Sequence, residues 1–392
     1  MKVVIAPDKF RGSLTAGQAA AAIAAGVRQS CPDADLHVVP VADGGDGTVD
    51  AALRAGYSPV TVTVTGPTGA PVSAVFAHRG DTAIVEMAEA SGLRRLPGPP
   101  SPSSALTANS YGTGQLISAA LSGGARRIVI GIGGSASTDG GTGLTRALGV
   151  RFLTDAGRPI ASGGGGLGEL ATIDTSAVDP RVAAAELIIA TDVDNPLAGK
   201  NGAAHVFAPQ KGADPHAVAV LDAGLRHLAA VIERTTGTAI GGLAGTGAAG
   251  GIAATAVPLL DATIASGSDL LLSLLGLPQA VAGATLVITG EGSLDEQSLH
   301  GKAPHGVARI SASHGVACIA IAGRVAVANA DLAAAGISRA YSLSDIEPDP
   351  ARCMSHAAAL VTHVARHACD ALAGLRRSTG CPPGLARTAE IS

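Results

Sequence analysis

Four loops along this chain set carboxylates among glycines. Asp43 and Asp46 stand in Asp43-Gly-Gly-Asp46-Gly-Thr48. Asp139 stands in Gly131-Ile-Gly-Gly-Ser-Ala-Ser-Thr-Asp-Gly-Gly-Thr-Gly143, and Asp192 and Asp194 in Thr191-Asp-Val-Asp-Asn-Pro196. Glu291 and Asp295 belong to the segment that opens Thr289-Gly-Glu-Gly292. Cations stand near two of these groups: Lys9 with Arg11, and Lys302. Carboxylates able to hold magnesium, glycine loops able to hold phosphate and a few cations are the parts that phosphoryl transfer uses. Any one of these carboxylates, taken singly, reads best as a solvated turn residue. Their recurrence at the ends of strands points to a shared site.

The Gly131 loop follows Arg127-Ile-Val-Ile130, a β-branched run that reads as a buried strand, and precedes Leu144-Thr-Arg-Ala-Leu148, which reads as the start of a helix. A glycine turn between strand and helix lets the backbone approach an anion, with free N–H groups pointing at it. Gly133, Gly134, Ser135, Ser137 and Asp139 are therefore candidate phosphate-site residues; a turn knitted by Asx and Ser/Thr hydrogen bonds is the plainer alternative. Two G-x-G-x-x-[GA] matches occur, at Gly131 and Gly245/Gly247, but 53 glycines make such matches cheap evidence for a dinucleotide site. There is no G-x-x-x-x-G-K-[ST], no G-x-S-x-G elbow and no calcium-loop spacing.

The elements that must position these loops come from an aliphatic chain. Of the 392 residues 47% are hydrophobic but only 2% aromatic, so the core is built from small side chains, and the length favours two domains. A net charge of −4 without blocks of like charge argues against nucleic acid or an acidic membrane surface as partner. Five scattered cysteines with no C-x-x-C pair suit a reducing cytoplasm. The N-terminus carries no signal-peptide pattern, and no apolar run is long enough to span a bilayer.

Lys2–Ala6 and Leu36–Val41 read as strands joined by a helix that opens with capping-box spacing at Thr15 and Gln18, a parallel βαβ unit. Ligands in such sheets bind beyond the carboxyl ends of strands, where Asp8, Lys9, Arg11 and Ser13 lie. After residue 66 the texture changes: Val72–Ala77 and Ala83–Glu86 read as an antiparallel pair. From residue 285 strand–loop–helix alternation returns. The expected architecture is an α/β domain made from residues 1–65 and 285–378, a second α/β domain inserted at 66–284, and a loose tail at 379–392.

Several motifs together resemble the bacterial type 1 glycerate kinase, or glycerate 2-kinase, family. They are Val3-Val-Ile-Ala-Pro-Asp-Lys-Phe-Arg-Gly-Ser-Leu14, Pro40-Val-Ala-Asp-Gly-Gly-Asp-Gly-Thr48, Ser110-Tyr-Gly-Thr-Gly114, the Gly131 loop, Asp192-Val-Asp-Asn-Pro-Leu197, Gly247-Ala-Ala-Gly-Gly251, and Thr289-Gly-Glu-Gly292 with Asp295-Glu-Gln297 and Gly301-Lys302. The resemblance runs in order from residue 1 to about residue 375. Arg11 and Asp46 replace Lys and Glu with charge kept, whereas Gln115 and Ser293 lose a charge. The resemblance implies a flavodoxin-like parallel-sheet domain from both chain ends with a second α/β domain inserted. It also implies ATP-dependent phosphorylation of D-glycerate, at the 2-hydroxyl. Asp192, at a rigid strand end, is then the candidate base, with Lys9 as a further catalytic group. Asp8, Lys9, Arg11 and Ser13 would hold substrate. Gly133, Gly134, Ser135, Ser137, Asp139, Gly245, Gly247 and Lys302 would hold nucleotide, and Asp43, Asp46, Glu291 and Asp295 would hold Mg2+. The alternatives are transfer to the 3-hydroxyl, a non-catalytic organic-acid-binding regulator, and a dinucleotide-dependent oxidoreductase.

Overall fold

The computed structural model describes residues 1–299 and 302–379. The chain opens with strand β1 (Lys2–Pro7), helix α1 (Ala16–Ser30) and strand β2 (Asp35–Val38). The capping box at the start of α1 is formed: Gln18 N donates to Thr15 Oγ1 at 3.2 Å, and Thr15 N donates to Gln18 Oε1 at 2.9 Å. Next come α2 (Thr48–Arg54), β3 (Ser58–Thr65), β4 (Pro71–Arg79), β5 (Thr82–Glu86), α3 (Tyr111–Ser122), β6 (Arg127–Gly131) and α4 (Thr142–Ala147). A small hairpin of β7 (Arg151–Leu153) and β8 (Thr172–Asp174) precedes β9 (Glu186–Ala190), α5 (Pro215–Thr236), β10 (Thr263–Ala265) and α6 (Gly267–Leu274). The chain continues through β11 (Leu286–Leu294), α7 (Ala303–Ser313), β12 (Cys318–Val325), β13 (Arg339–Ser342) and α8 (Ala357–Thr379).

The chain forms two compact units. One comprises Met1–Val41 and the residues from Leu271 onward; the other is Ala42–Leu270. The first holds a five-stranded parallel sheet in the order β13-β12-β11-β1-β2. Counting only this sheet's own strands, the order is 2-1-3-4-5, the flavodoxin-like arrangement. The two chain ends meet in it, with Val3 opposite Leu286 and Ile5 opposite Ile288. Alternate residues serve opposite faces. Val3, Ile5, Ile288 and Ile319 pack with α1 and α8, while Val4, Ala6, Val287 and Ala320 pack with α7. Burial on both faces is why these strands read as continuous aliphatic runs.

The inserted unit holds a six-stranded sheet in the order β10-β9-β6-β5-β4-β3, parallel from β10 to β5 and antiparallel through β4 and β3. This corrects the expected boundaries. Residues 42–65 were assigned with the first domain, but β3 pairs with β4 along its whole length, from Ser58–His78 to Thr65–Pro71, and so belongs to the insertion. At the far side the division falls at Leu270/Leu271 rather than 285. The expected tail lies outside the described residues from residue 380, and α8 runs through Thr379. Among the described residues no helix is long and apolar enough to cross a membrane.

Candidate active site

In the inserted unit the Gly131 loop leaves the carboxyl end of β6, and the segment 191–196 leaves that of the neighbouring β9. The Gly131 loop leaves β6 against the Asp43–Gly47 loop, and Gly133 N donates to Gly44 O at 2.9 Å. A Cβ at Gly133 would stand 2.4 Å from the Gly45 Cα, so only glycine allows this approach. Gly134 is exposed at the tip, and from Ser135 to Thr145 the chain is buried.

Asp139 sits beneath that tip, 1% exposed, and acts as the loop's organiser. Its Oδ2 accepts from Ser110 N at 2.9 Å, Ser110 Oγ at 2.8 Å and Gly143 N at 3.1 Å, and its Oδ1 accepts from Gly141 N at 3.2 Å. Ser110 Oγ in turn accepts from Leu144 N, which ties α3 to α4. The expectation that Asp139 faces a nucleotide is therefore corrected, because its acceptor sites are filled from inside the protein. Gly245 and Gly247 are corrected likewise. Both are buried, Gly247 N donates to Asn195 O at 2.9 Å, and a Cβ there would meet Pro196 O at 2.1 Å, so this glycine loop is packed against the Asp192–Pro196 loop. Ser135 and Ser137 lie below the tip. Ser135 Oγ accepts from Lys211 Nζ at 2.8 Å, whereas Ser137 Oγ is buried with no partner among the described residues.

Asp192 follows β9 but caps α6. Its Oδ1 accepts from Ser266 Oγ at 2.8 Å and Gly267 N at 3.0 Å, and its Oδ2 accepts from Ser268 N at 3.0 Å. Burial raises its pKa, Asp43 adds to that, and the hydrogen bonds from Ser266 and Ser268 oppose it. Both oxygens of Asp192 thus serve this cap. Asp192→Asn should then cost about 1 kcal/mol of stability, the usual worth of a cap, and change kcat less than tenfold. Steady-state kinetics beside thermal melting would test this, and a kcat loss of two or more powers of ten would return Asp192 to catalysis.

Asp43 Oδ1 accepts from Gly45 N at 2.9 Å in a local turn. Asp46 faces Arg94, 3.7 Å from its Nη1. Arg94 also pairs with Glu86 at 3.0 Å and with Glu89. Glu86, which terminates β5, uses its other oxygen to accept from Gly47 N at 3.2 Å and Val49 N at 3.0 Å, holding the start of α2. Burial raises its pKa, offset in part by Val49 N–H and Arg94.

In the first unit the order of strands reverses at β1 and β11, the position where open parallel sheets take ligands. The Asp8–Gly12 loop leaves β1 there. Asp8 N donates to Gly290 O at 2.8 Å, Lys9 N donates to Asp8 Oδ1 at 2.7 Å, and Ser13 Oγ donates to Phe10 O at 3.1 Å. Phe10 is 2% exposed and anchors the loop, which leaves Arg11 in solvent and Lys9 half-buried.

Across the reversal, Glu291 lies on β11, 8% exposed, with Oε1 lacking a hydrogen-bond partner among the described residues. Burial pushes its carboxyl up to about 7; the Ser298 hydroxyl and Lys302 pull it down, while Asp8 and Asp295 push it further up. Asp295 Oδ1 accepts from Ser298 N at 3.0 Å and lies 3.9 Å from Lys302 Nζ. Lys302, expected at the nucleotide, belongs to this acidic group at the start of α7. Its neighbour Gly301 lies outside the described residues.

The expected metal ligands are divided between the two units. Asp43 and Asp46 belong to the inserted unit, Glu291 and Asp295 to the first, and among the described residues no group of three His, Cys, Asp or Glu side chains is placed to hold a metal ion. Two residues of these loops were not singled out from sequence. Glu86 had a visible signal, a lone carboxylate ending a buried strand. Lys211 had none, since Pro209-Gln-Lys-Gly212 reads as an ordinary solvated turn.

Known proteins resemble this chain over most of its length. The profile of the glycerate kinase family matches residues 3–373. A glycerate kinase of Halalkalibacterium halodurans is 46% identical over 345 residues, 87% of this chain and 90% of that protein. The glycerate 2-kinase of Escherichia coli K12 is 45% identical over 326 residues, 82% of this chain and 85% of that protein. A crystal structure from Salmonella typhimurium LT2, described as that of a glycerate kinase 2, superposes with a TM-score of 0.83 at 41% identity, covering 96% of this chain and 99% of that one. Fold and matches together define an α/β kinase. The chain belongs to the glycerate kinase family.

Proposed function

We propose that this enzyme transfers the γ-phosphate of ATP to the 2-hydroxyl of D-glycerate, giving 2-phosphoglycerate and ADP in the cytoplasm. The observation that carries the chemistry is Glu291, a buried carboxyl raised to about 7 at the strand-order reversal, with an oxygen that no described residue occupies. A general base works best when its pKa lies near the working pH. In this reading Glu291 takes the hydroxyl proton as the glycerate oxygen bonds to the γ-phosphorus and the bond from that phosphorus to the β,γ-bridging oxygen breaks. Lys9 and Arg11 bind the glycerate carboxylate, since a small anion with few handles needs a cation aimed at it.

The backbone at Gly133 and Gly134 receives the nucleotide phosphates. Magnesium, when bound with ATP, would supply charge neutralisation at the phosphates, with loop carboxylates such as Asp43 and Asp46 as the groups that would help to hold it. The 2-position is supported by the name of the Escherichia coli relative, glycerate 2-kinase. Incubation with ATP, magnesium and D-glycerate should release ADP, and phosphorus NMR should show the 2-phospho ester. Finding only 3-phosphoglycerate would reject the position, and ligand binding without turnover would reject the enzyme reading in favour of a regulator.

A further inference from the structure

Lys211 is 2% exposed, one of the largest fully buried side chains of the protein, and it carries an amine. It ends the Pro209–Lys211 turn, whose Gly212 packs tightly on the backbone of Ser101, so the stem leaves from a fixed point. The side chain reaches under the Gly131 loop. Nζ donates to Ser135 Oγ at 2.8 Å and to Ser137 O at 2.6 Å. Among the described residues it makes no ion pair. Asp139 is the acidic group whose field reaches it, and that carboxylate is occupied by its four donors. Burying an ammonium without a paired carboxylate is expensive, and a methionine of similar volume would avoid the cost. The loop does not need the charge for its shape. It is already fixed by the bonds to Asp139, by Gly133 N to Gly44 O and by Gly140 N to Gly250 O, each of the last two at 2.9 Å.

We propose that Lys211 is a positioning residue of the nucleotide subsite, holding Ser135 from beneath the loop and supplying positive potential to the phosphates received at Gly133 and Gly134. The inference rests on the reading above that this loop takes the nucleotide. It gives the subsite a buried cation although the sequence has no P-loop lysine, beside Arg94 at the tip, whose charge is shared among Asp46, Glu86 and Glu89. A charge buried in a low-dielectric surround acts at longer range than one in water.

The test is equilibrium dialysis of ADP against the full-length protein, beside steady-state kinetics. Lys211→Met should raise the ADP Kd and the ATP KM roughly tenfold or more, with the glycerate KM within about twofold of wild type. A folded variant that keeps wild-type ADP affinity, or that loses ADP and glycerate affinity alike, would overturn the proposal. Wild-type protein that binds no ADP would overturn the reading of the loop, and this inference with it. A second measurement needs no variant. Burial pulls the Lys211 ammonium down to about 7, with Asp139 partly offsetting that. Wild-type ADP affinity should therefore fall as pH rises through about 7, while the terminal phosphate gains charge, which alone would tighten binding. Affinity that stays level or rises over that range would overturn the proposal even if Lys211→Met does not fold.

Discussion

Glu291→Gln is expected to lower kcat by roughly two to four powers of ten, the range usual for loss of a general base. The amide has nearly the carboxyl's shape but cannot take the glycerate proton. In the wild type the carboxyl is pushed up to about 7. A base works deprotonated, so kcat should be full above that pH and fall as pH drops through it; the residual activity of the Gln variant should lack this limb. Stability should move the other way. The folded value lies above the ordinary 4.5, so between these pH values the folded state binds more protons than the unfolded chain, and stability declines as pH rises from about 4.5 through about 7. The neutral amide escapes that decline, so Glu291→Gln should melt higher than wild type above pH 7 while being nearly inactive. Wild-type kcat in a folded Glu291→Gln protein would remove Glu291 from the chemistry.

Asp139→Ala is expected to destabilise the inserted unit by about 3–5 kcal/mol, the usual cost of removing one partner from a buried charged network. The truncation strands Ser110 N–H and O–H, Gly141 N–H and Gly143 N–H in a site that is 1% exposed. Ser110 Oγ would also lose its direction toward Leu144 N. In calorimetry the transition of that unit should drop by on the order of 10 °C. Asp139→Asn should cost less, because one end of the amide can still accept while the other presents donors to donors. An Ala variant within about 1 kcal/mol of wild type would mean that the loop has support beyond the bonds described.

The flavodoxin-like half of the fold was legible because its causes are local. Aliphatic runs buried on both faces gave the strands, Thr15 and Gln18 gave the start of α1, and the return of the same texture near residue 285 gave the pairing of chain ends seen in Val3 opposite Leu286. The boundary at 65 failed for a reason equally physical. β3 alternates like any half-buried strand, and nothing within Ser58–Thr65 says that its partner is β4 rather than β2. For the site, sequence located the strand-end loops but not the partners of their carboxylates. Asp139 and Asp192 have the composition of ligand groups, yet donors from Ser110 and Ser266–Ser268, distant in sequence, engage them for structure. Glu291 was visible as a carboxylate, but its raised pKa comes from burial, which composition cannot express. Lys211 was invisible because a lysine in a Pro–Gly turn has no mark that separates a buried stem from a solvated one.

The split of the first sheet by the Ala42–Leu270 insertion bears on the order of folding. Joining β1 to β11 brings together residues 283 positions apart, as in the bond from Thr289 Oγ1 to Ala6 O. Closure of so long a loop is slow and entropically costly while the intervening chain is unfolded. The insertion is continuous in sequence and has its own core, and its ends already meet: Gly267 packs on the Asp43 carbonyl. Folded first, it replaces a long random loop by a short, preset span, so that β11 is delivered to β1 by the body it follows. On a ribosome this order arises unaided, since the insertion is complete before β11, β12 and β13 are made. Slow or faulty folding of the insertion would leave β1 and β2 as a two-stranded remnant with an exposed aliphatic edge, the form in which this chain is most prone to aggregate.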